Sequence, residues 1–349
     1  MKISLLFVCL LLLSLANANN KDLDLATRER IAQSAERFFD QESIIEMTVE
    51  ADFTALRSDR DRATNEYHQA TITLQEDGGN VVVKSKVKTR GNFRLKNENC
   101  DFPPLRFKFK TSHVINTVFE GQDKLKLVTH CRDTSLLMQQ AVLREYLTYK
   151  MYNSLSDNSL RVRMVKMKYV DTQYDDEIVK YGFFIESVDQ MSRRTGLEEV
   201  EMANLTQDQL IQDNIIQLAL FNYMIGNTDW SVPKLHNVTL LRSDRHSPPV
   251  AVPYDFDMSE FVDACYMKVY MGRELLENRY KGKKVPMDVL EKAIDNYTAK
   301  RKALVNTILN FDYLDLDKKQ ECLAIVDSFY ETINNKQAAR RAFIAEAKK

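Results

Sequence analysis

Beyond its first fifteen residues the chain has no apolar run long enough to span a bilayer, so no internal transmembrane helix is expected. It also has almost no net charge. With 49 basic and 50 acidic residues and a formal charge of -1, it does not suit a general nucleic-acid binder and carries no one-sign steering field. A charged ligand must therefore be met locally. The five cysteines include no CxxC pair, and their spacing does not indicate zinc. There is no GxGxxG phosphate loop, no internal repeat and no low-complexity linker. Two lobes sharing a cleft fit this continuity better than two independent domains.

What is present begins with a leader. Lys2, the apolar run Ile3–Leu15 and the small-x-small site Ala16-Asn17-Ala18 read as a secretory signal peptide over residues 1–18. Cleavage near Ala18, with no cysteine at the junction, predicts a secreted or periplasmic chain without a lipid anchor. The roughly 330 residues that follow exceed one simple core. In an oxidising compartment Cys100, Cys131, Cys265 and Cys322 permit two disulfides in three connectivities. Pairing Cys100 with Cys131 and Cys265 with Cys322 would staple each lobe separately; four buried thiols are the alternative.

Residues 22–40 have helical apolar spacing, and 19–43 read as an N-terminal helical extension. Residues 44–186 are β-rich: segments 44–53 and 67–74, the turn Glu76–Asn80 and VVVKSKVKTRGN form an antiparallel meander. In CDFPPLRFKFK, Leu105, Phe107 and Phe109 face one side and Arg106, Lys108 and Lys110 the other. Such a strand can aim a cation at phosphate oxygens, or it can be a solvated basic edge that resists strand-to-strand aggregation. A short strand at Leu125–Val128 leads to a helix over about Leu136–Leu155, capped by Asp133-Thr-Ser, with Leu136, Leu143, Leu147 and Met151 as its inner stripe. Glu145 on that helix can pair with the strand lysine or simply be exposed. Strands at 161–170 and 179–186 precede a boundary near Glu186–Asp189. Residues 187–349 are then mainly helical, with helices expected over 208–225, 286–310 and 317–334.

The stretch from Leu218 to Glu260 concentrates the chemistry. An apolar helix stops at Gly226, a loop carries Asn227 and Asp229, strands HNVTLL and VAVPY form a hairpin, and Asp255 and Asp257 follow. Asp229, Asn237, Asp255 and Asp257 make a metal-and-base set, in which hard oxygen ligands hold a divalent cation and one carboxylate accepts a proton. Each alone is equally a turn or cap residue. His130 and His236 read as structural histidines and Trp230 as a plug. Asn204, Asn237 and Asn296 match N-x-S/T, which matters only in a eukaryotic secretory route.

GNTDW, then HN, then PYDFD, preceded by TRGNF, FPPLRFKF and KLKLVTHCRDTSLL, resemble in order the spore-coat protein H type of atypical kinases and, more remotely, the HipA-type kinases. The resemblance covers about residues 45 to 265. It implies an α+β, two-lobed, protein-kinase-like fold with a β-rich N-terminal lobe and a mainly helical C-terminal lobe. It implies ATP and Mg2+ or Mn2+ as cofactors, and phosphoryl transfer to a hydroxyl on an exported protein. Asp229 would be the catalytic acid/base, Asn237 and Asp255 metal ligands, and Asp257 a second ligand. Lys108, or failing it Arg106, would meet the α/β-phosphates, with Glu145 as its helix partner. In place of a phosphate loop, Gly91 in TRGN is the candidate, with Arg90 as an alternative phosphate contact. Ile185, Glu186 and Ser187 would form the hinge against the adenine. Transfer of AMP, a catalytically silent cell-envelope scaffold and a paired-carboxylate hydrolase are the rival readings.

Overall fold

The computed structural model describes residues 24–76, 78–267 and 279–344; the expected leader and its cleavage site lie outside them. Helix α1 (Leu25–Arg37) starts at Asp24, whose carboxylate accepts the Thr27 backbone N–H. Alternating apolar and polar residues then build strands β1 (Ile45–Ala51), β2 (His68–Glu76), β3 (Gly79–Thr89), β4 (Leu105–Phe109) and β5 (Lys124–Val128). A short helix α2 (Phe53–Ser58) follows β1, and α3 (Thr111–Val114) follows β4. Strands β6 (Val162–Asp171) and β7 (Glu177–Ile185) come after the long helix α4 (Leu136–Leu155).

The meander β1 to β5 pairs antiparallel as its alternation predicts. The rest departs from expectation. β5 pairs with β7, β7 with β6, and β6 returns to β1 in parallel, from Ile45 opposite Val165 to Ala51 opposite Asp171. That last ladder closes a seven-stranded barrel. The α+β class stands, but the expected two-lobed kinase-like fold is overturned, because the strands form a closed barrel. Local alternation says nothing about which distant strand will complete the ring. The barrel is filled by its own inward side chains, among them Val49, Ile72, Val87, Leu105, Phe107, Leu125, Leu127 and Phe184.

Helix α4 is the join between the barrel and the helices. Its N-cap is Ser135, which accepts the Met138 N–H, and it is buried along most of its length. Leu143, Leu147 and Met151 are core residues as expected, whereas Leu136 is 77% exposed at the helix start. Arg144 and Glu145 are buried as well, so Glu145 is not the exposed residue of the alternative reading. Beyond β7 come α5 (Val188–Thr195), the two-residue strand β8 (Glu198–Glu199) and α6 (Gln212–Met224). β9 (Val238–Arg242) and β10 (Val250–Pro253) form the expected hairpin, with β8 as a third strand. Helices α7 (Met287–Leu309), α8 (Leu316–Asn334) and α9 (Lys336–Phe343) pack into the same core as α4 and α6.

Cys100 and Cys131 are bonded, with Cα atoms 4.7 Å apart. The second expected disulfide is absent: Cys322 is buried in the helical core, while Cys265 is exposed with its Sγ against Met138 Sδ. Packing, not proximity within a lobe, decides where each thiol faces. Trp230 is a plug, buried with Leu218, Val238 and Leu240. Among the described residues no helix is long and apolar enough to cross a membrane.

Candidate functional site

The loop after α6 is built from its stop. Gly226 takes a left-handed backbone (φ 64°), and a Cβ there would come within 2.7 Å of the Glu260 side chain. The Asn227 N–H closes on the Asn222 carbonyl at 2.8 Å, a helix end that glycine permits. Asn227 is then held by Asn222 Oδ1 at 2.8 Å, and its own Oδ1 accepts the Asp229 N–H at 2.9 Å. Ser231 and His236 exchange both backbone hydrogen bonds and fold the loop back. That return brings two side chains onto Asp229: His236 Nε2 lies 2.8 Å from Oδ1, and Asn237 Nδ2 donates to Oδ2 at 3.0 Å. Hairpin register does the rest, since the Tyr254 N–H donates to the Asn237 carbonyl at 3.0 Å and sets Asp255 beside it.

Asn237 (φ 52°) and Asp255 (φ 60°) both hold left-handed backbone, as does Leu235 (φ 48°). Asn and Asp tolerate that region; for leucine it is an outlier. Strain of this kind gathers where geometry serves a ligand. The Asp255 N–H is fixed by the Tyr149 hydroxyl at 2.9 Å, while its exposed carboxylate has no protein hydrogen bond or ion pair among the described residues.

These residues face the barrel rim across a cavity of about 580 Å³. One wall carries Arg90, Arg94 and Lys126; the other carries Asp229, Asn237, Asp255 and Asp257. Arg90 caps the rim by donating to the Leu105 carbonyl at 3.2 Å. Arg94 donates to the Thr129 carbonyl at 2.8 Å and meets Glu145 at 3.5 Å. Burial, reinforced by Arg90 and Arg106, pushes the Lys126 ammonium down to about 8. Burial also raises Glu145 against the pull of Arg94, and raises Asp257, with the Asp255 charge adding to the effect. Tyr266 donates to Asp257 at 2.7 Å. Buried Arg94, Glu145 and Asp257 thus interact strongly with one another, while Asp229 and Asp255 open to solvent.

The cavity brings together Asp229, Asn237, Asp255, Asp257 and Arg90 of the expected residues, with Ile185 of the expected hinge. Others lie elsewhere. Lys108 is exposed on the outer barrel face, its Nζ 5.7 Å from the Tyr67 ring, and Arg106 stands beside it on the same face. Glu145 pairs with Arg94, not with a strand lysine. Glu186 is closed into an ion cluster with Arg161 and Arg194. Lys126, not Lys108, is the strand lysine that lines the cavity. It was legible in KLKLV, where lysines alternate with inward leucines, and it stands directly opposite Arg106. Arg94 is another residue the spacing did not single out, and His236, read from the sequence as structural, is found on Asp229. Asn237 is buried and its amide is engaged, so it is no glycosylation acceptor.

No protein-family model matches the chain, and no curated protein matches it. Among the described residues no group of three His, Cys, Asp or Glu side chains is placed to hold a metal ion. A cation bridging phosphate oxygens makes a smaller demand: one or two carboxylates, with substrate oxygens and water completing the shell. Asp255, Asp257 and the Asn237 Oδ1 are oxygen donors of the kind such a cation takes, and all three residues line the cavity.

Proposed function

We propose that this cleft binds a nucleoside triphosphate with Mg2+ or Mn2+ and transfers its terminal phosphoryl group to a hydroxyl on an exported protein. The reading rests on one observation: three cations of the barrel rim face Asp229, Asn237, Asp255 and Asp257 across a single cavity. It does not rest on fold, and the order of the spore-coat kinase motifs is its only other support. Lys126 and Arg90 hold phosphate oxygens as donors. Asp229, oriented by His236 and Asn237, accepts the proton of the attacking hydroxyl as its oxygen bonds to phosphorus and the bridging oxygen leaves with the nucleoside diphosphate. Asp255, Asp257 and Asn237 would hold a divalent cation, which would supply charge neutralisation on the phosphate oxygens. Two rivals, nucleotidyl transfer and hydrolysis, use the same cleft.

The test is a thermal-shift titration with ATP and Mn2+ on the wild type and on Asp255→Asn, followed by mass spectrometry of a surrogate protein acceptor. A cation-dependent shift lost in Asp255→Asn, with an added phosphoryl group on the acceptor, supports the proposal. No shift in the wild type overturns it, and an added nucleotidyl group assigns the cleft to the rival transfer.

A further inference from the structure

The outer face of β3, β4 and β5 is a grid of cations. Strand register sets Lys86 opposite Lys108 and Lys108 opposite Lys124, and one step along the pleat sets Lys88 opposite Arg106 and Arg106 opposite Lys126. Lys84 and Lys110 extend it. Neighbours in a row are about 4.8 Å apart and successive rows about 6.7 Å apart. Like charges directly opposite one another cost stability. Few carboxylates relieve them: among the described residues only Lys124 has one within ion-pair reach, Asp123 at 3.9 Å, while Lys88 donates to Asn65 Oδ1 at 3.4 Å and the Asp255 and Glu199 charges favour the Lys126 ammonium. On the β2 side Gln69 and Thr71 stand opposite Lys86 and Lys84, and on the β7 side Ile185 stands opposite Lys126.

Edge protection does not account for the lysines. In a closed barrel β4 has a partner on both sides and presents no edge to guard. The opposite face of the same barrel shows the ordinary solution, with Glu46 beside Lys166 at 3.4 Å and Lys168 beside Glu177 at 2.5 Å. The cation rows are therefore a local departure, and Lys126 carries the inner row into the cleft.

We infer that this face docks an extended, acidic protein segment and leads it toward the cleft. An extended chain presents alternate side chains on one face with the same spacing as the lysine rows, so Glu or Asp at every second position matches the grid. A nucleic acid is the less apt occupant. Among the described residues the aromatic ring that these cations meet, Tyr67, is engaged by Lys88 and Lys108 at 5.2 and 5.7 Å and by a hydrogen bond from Arg106, so it offers no free surface for stacking a base. The docking does not depend on what chemistry the cleft performs.

The test is fluorescence anisotropy with a labelled peptide carrying glutamate at alternate positions, beside a single-stranded oligonucleotide of equal charge. The variants are Lys86→Glu with Lys108→Glu, the neutral pair Lys86→Gln with Lys108→Gln, and a control Lys300→Glu with Lys302→Glu on α7. Salt-sensitive peptide binding by the wild type and control, lost on the order of tenfold or more in the reversed pair and partly in the neutral pair, supports the inference. Circular dichroism establishes that the variants are folded. No peptide binding at low salt, binding unchanged in the folded reversed pair, or tighter binding of the oligonucleotide each overturns it.

Discussion

Glu186 and Glu145 are both buried carboxylates beside arginines, and they live under opposite conditions. Glu186 takes Arg161 Nε and Nη2 at 3.0 and 2.6 Å, the Arg161 backbone N–H at 3.0 Å, and Arg194 Nε and Nη2 at 3.2 and 2.9 Å. Both of its oxygens are satisfied by charge-assisted bonds, which makes a closed structural knot. Among the described residues Glu145 has one ion-pair partner, Arg94 at 3.5 Å, and the Asp257 and Asp255 charges raise it further. The first cluster is complete without a ligand, whereas the second leaves charge that a bound cation and a polyphosphate would neutralise. Buried charge alone does not mark a functional site; incompleteness does.

The sharpest way to break that contrast is at the cleft. Asp229→Asn is expected to lower phosphoryl transfer by roughly 10²- to 10⁴-fold, the usual share of a positioned base. Asp255→Asn, whose amide tolerates the left-handed backbone, should abolish the Mn2+-dependent shift without lowering the ligand-free melting temperature, because it removes a charge that Asp257 and Glu145 oppose. If either variant melts well below the wild type, the cleft carboxylates are structural like Glu186.

The converse belongs to Glu186→Ala. Among the described residues, removing the carboxylate leaves Arg161 only Asp40 and the Glu36 carbonyl, and leaves Arg194 only the Asp157 and Ser159 carbonyls; with the two side chains 15% and 21% exposed, the loss should destabilise the fold by about 3 kcal/mol. Urea denaturation measures that loss, and nucleotide affinity of the folded fraction should stay unchanged. Weakened affinity with unchanged stability would instead place Glu186 in the hinge role implied by the kinase resemblance.

The contrast was only half legible in the sequence. Helix α4, the hairpin β9–β10 and the meander β1–β5 follow from apolar spacing, and the Gly226 stop with the loop behind it marked Asp229, Asn237 and Asp255. Spacing along one strand cannot say which distant strand will close a barrel, so the β1–β6 ladder was hidden, and with it the fact that β4 has no free edge. Alternation placed Lys108 outward correctly but could not choose among the outward cations. Lys126 reaches the cleft because β5 runs to the rim between β4 and β7, a matter of sheet order. Glu186 looked functional because the kinase resemblance put it in the hinge, whereas Arg161 and Arg194 reach it from separate elements.

A smaller effect sharpens the rim side. Lys126 is an ammonium held down to about 8 by burial, Arg90 and Arg106, with Asp255 and Glu199 opposing. An anion bound against it favours its protonated form, so affinity for pyrophosphate should fall as pH rises through about 8, and Lys126→Met should flatten the profile. The stability sign runs the other way. The unfolded chain holds this proton up to a lysine's ordinary range, so between about 8 and that range it binds more protons than the fold, and ligand-free stability rises with pH there. Calorimetric titration across that window checks the first, and denaturation of wild type against Lys126→Met the second. An affinity independent of pH would remove Lys126 from the phosphate contacts.

The smallest effect separates orientation from chemistry within the cleft itself. His236 is 52% exposed, and its bond to Asp229 shares the carboxylate with Asn237, so it positions the base without being required for proton transfer. An exposed hydrogen bond contributes on the order of 1 kcal/mol, so His236→Ala should lower kcat about threefold to fivefold and leave KM for the nucleotide unchanged. His236→Gln, which keeps a donor, should recover part of the loss, whereas a residue serving only the fold would show no such rescue. A fall as deep as that of Asp229→Asn would make His236 part of the proton-transfer machinery and shift the weight of the cleft from a lone carboxylate to a His–Asp pair.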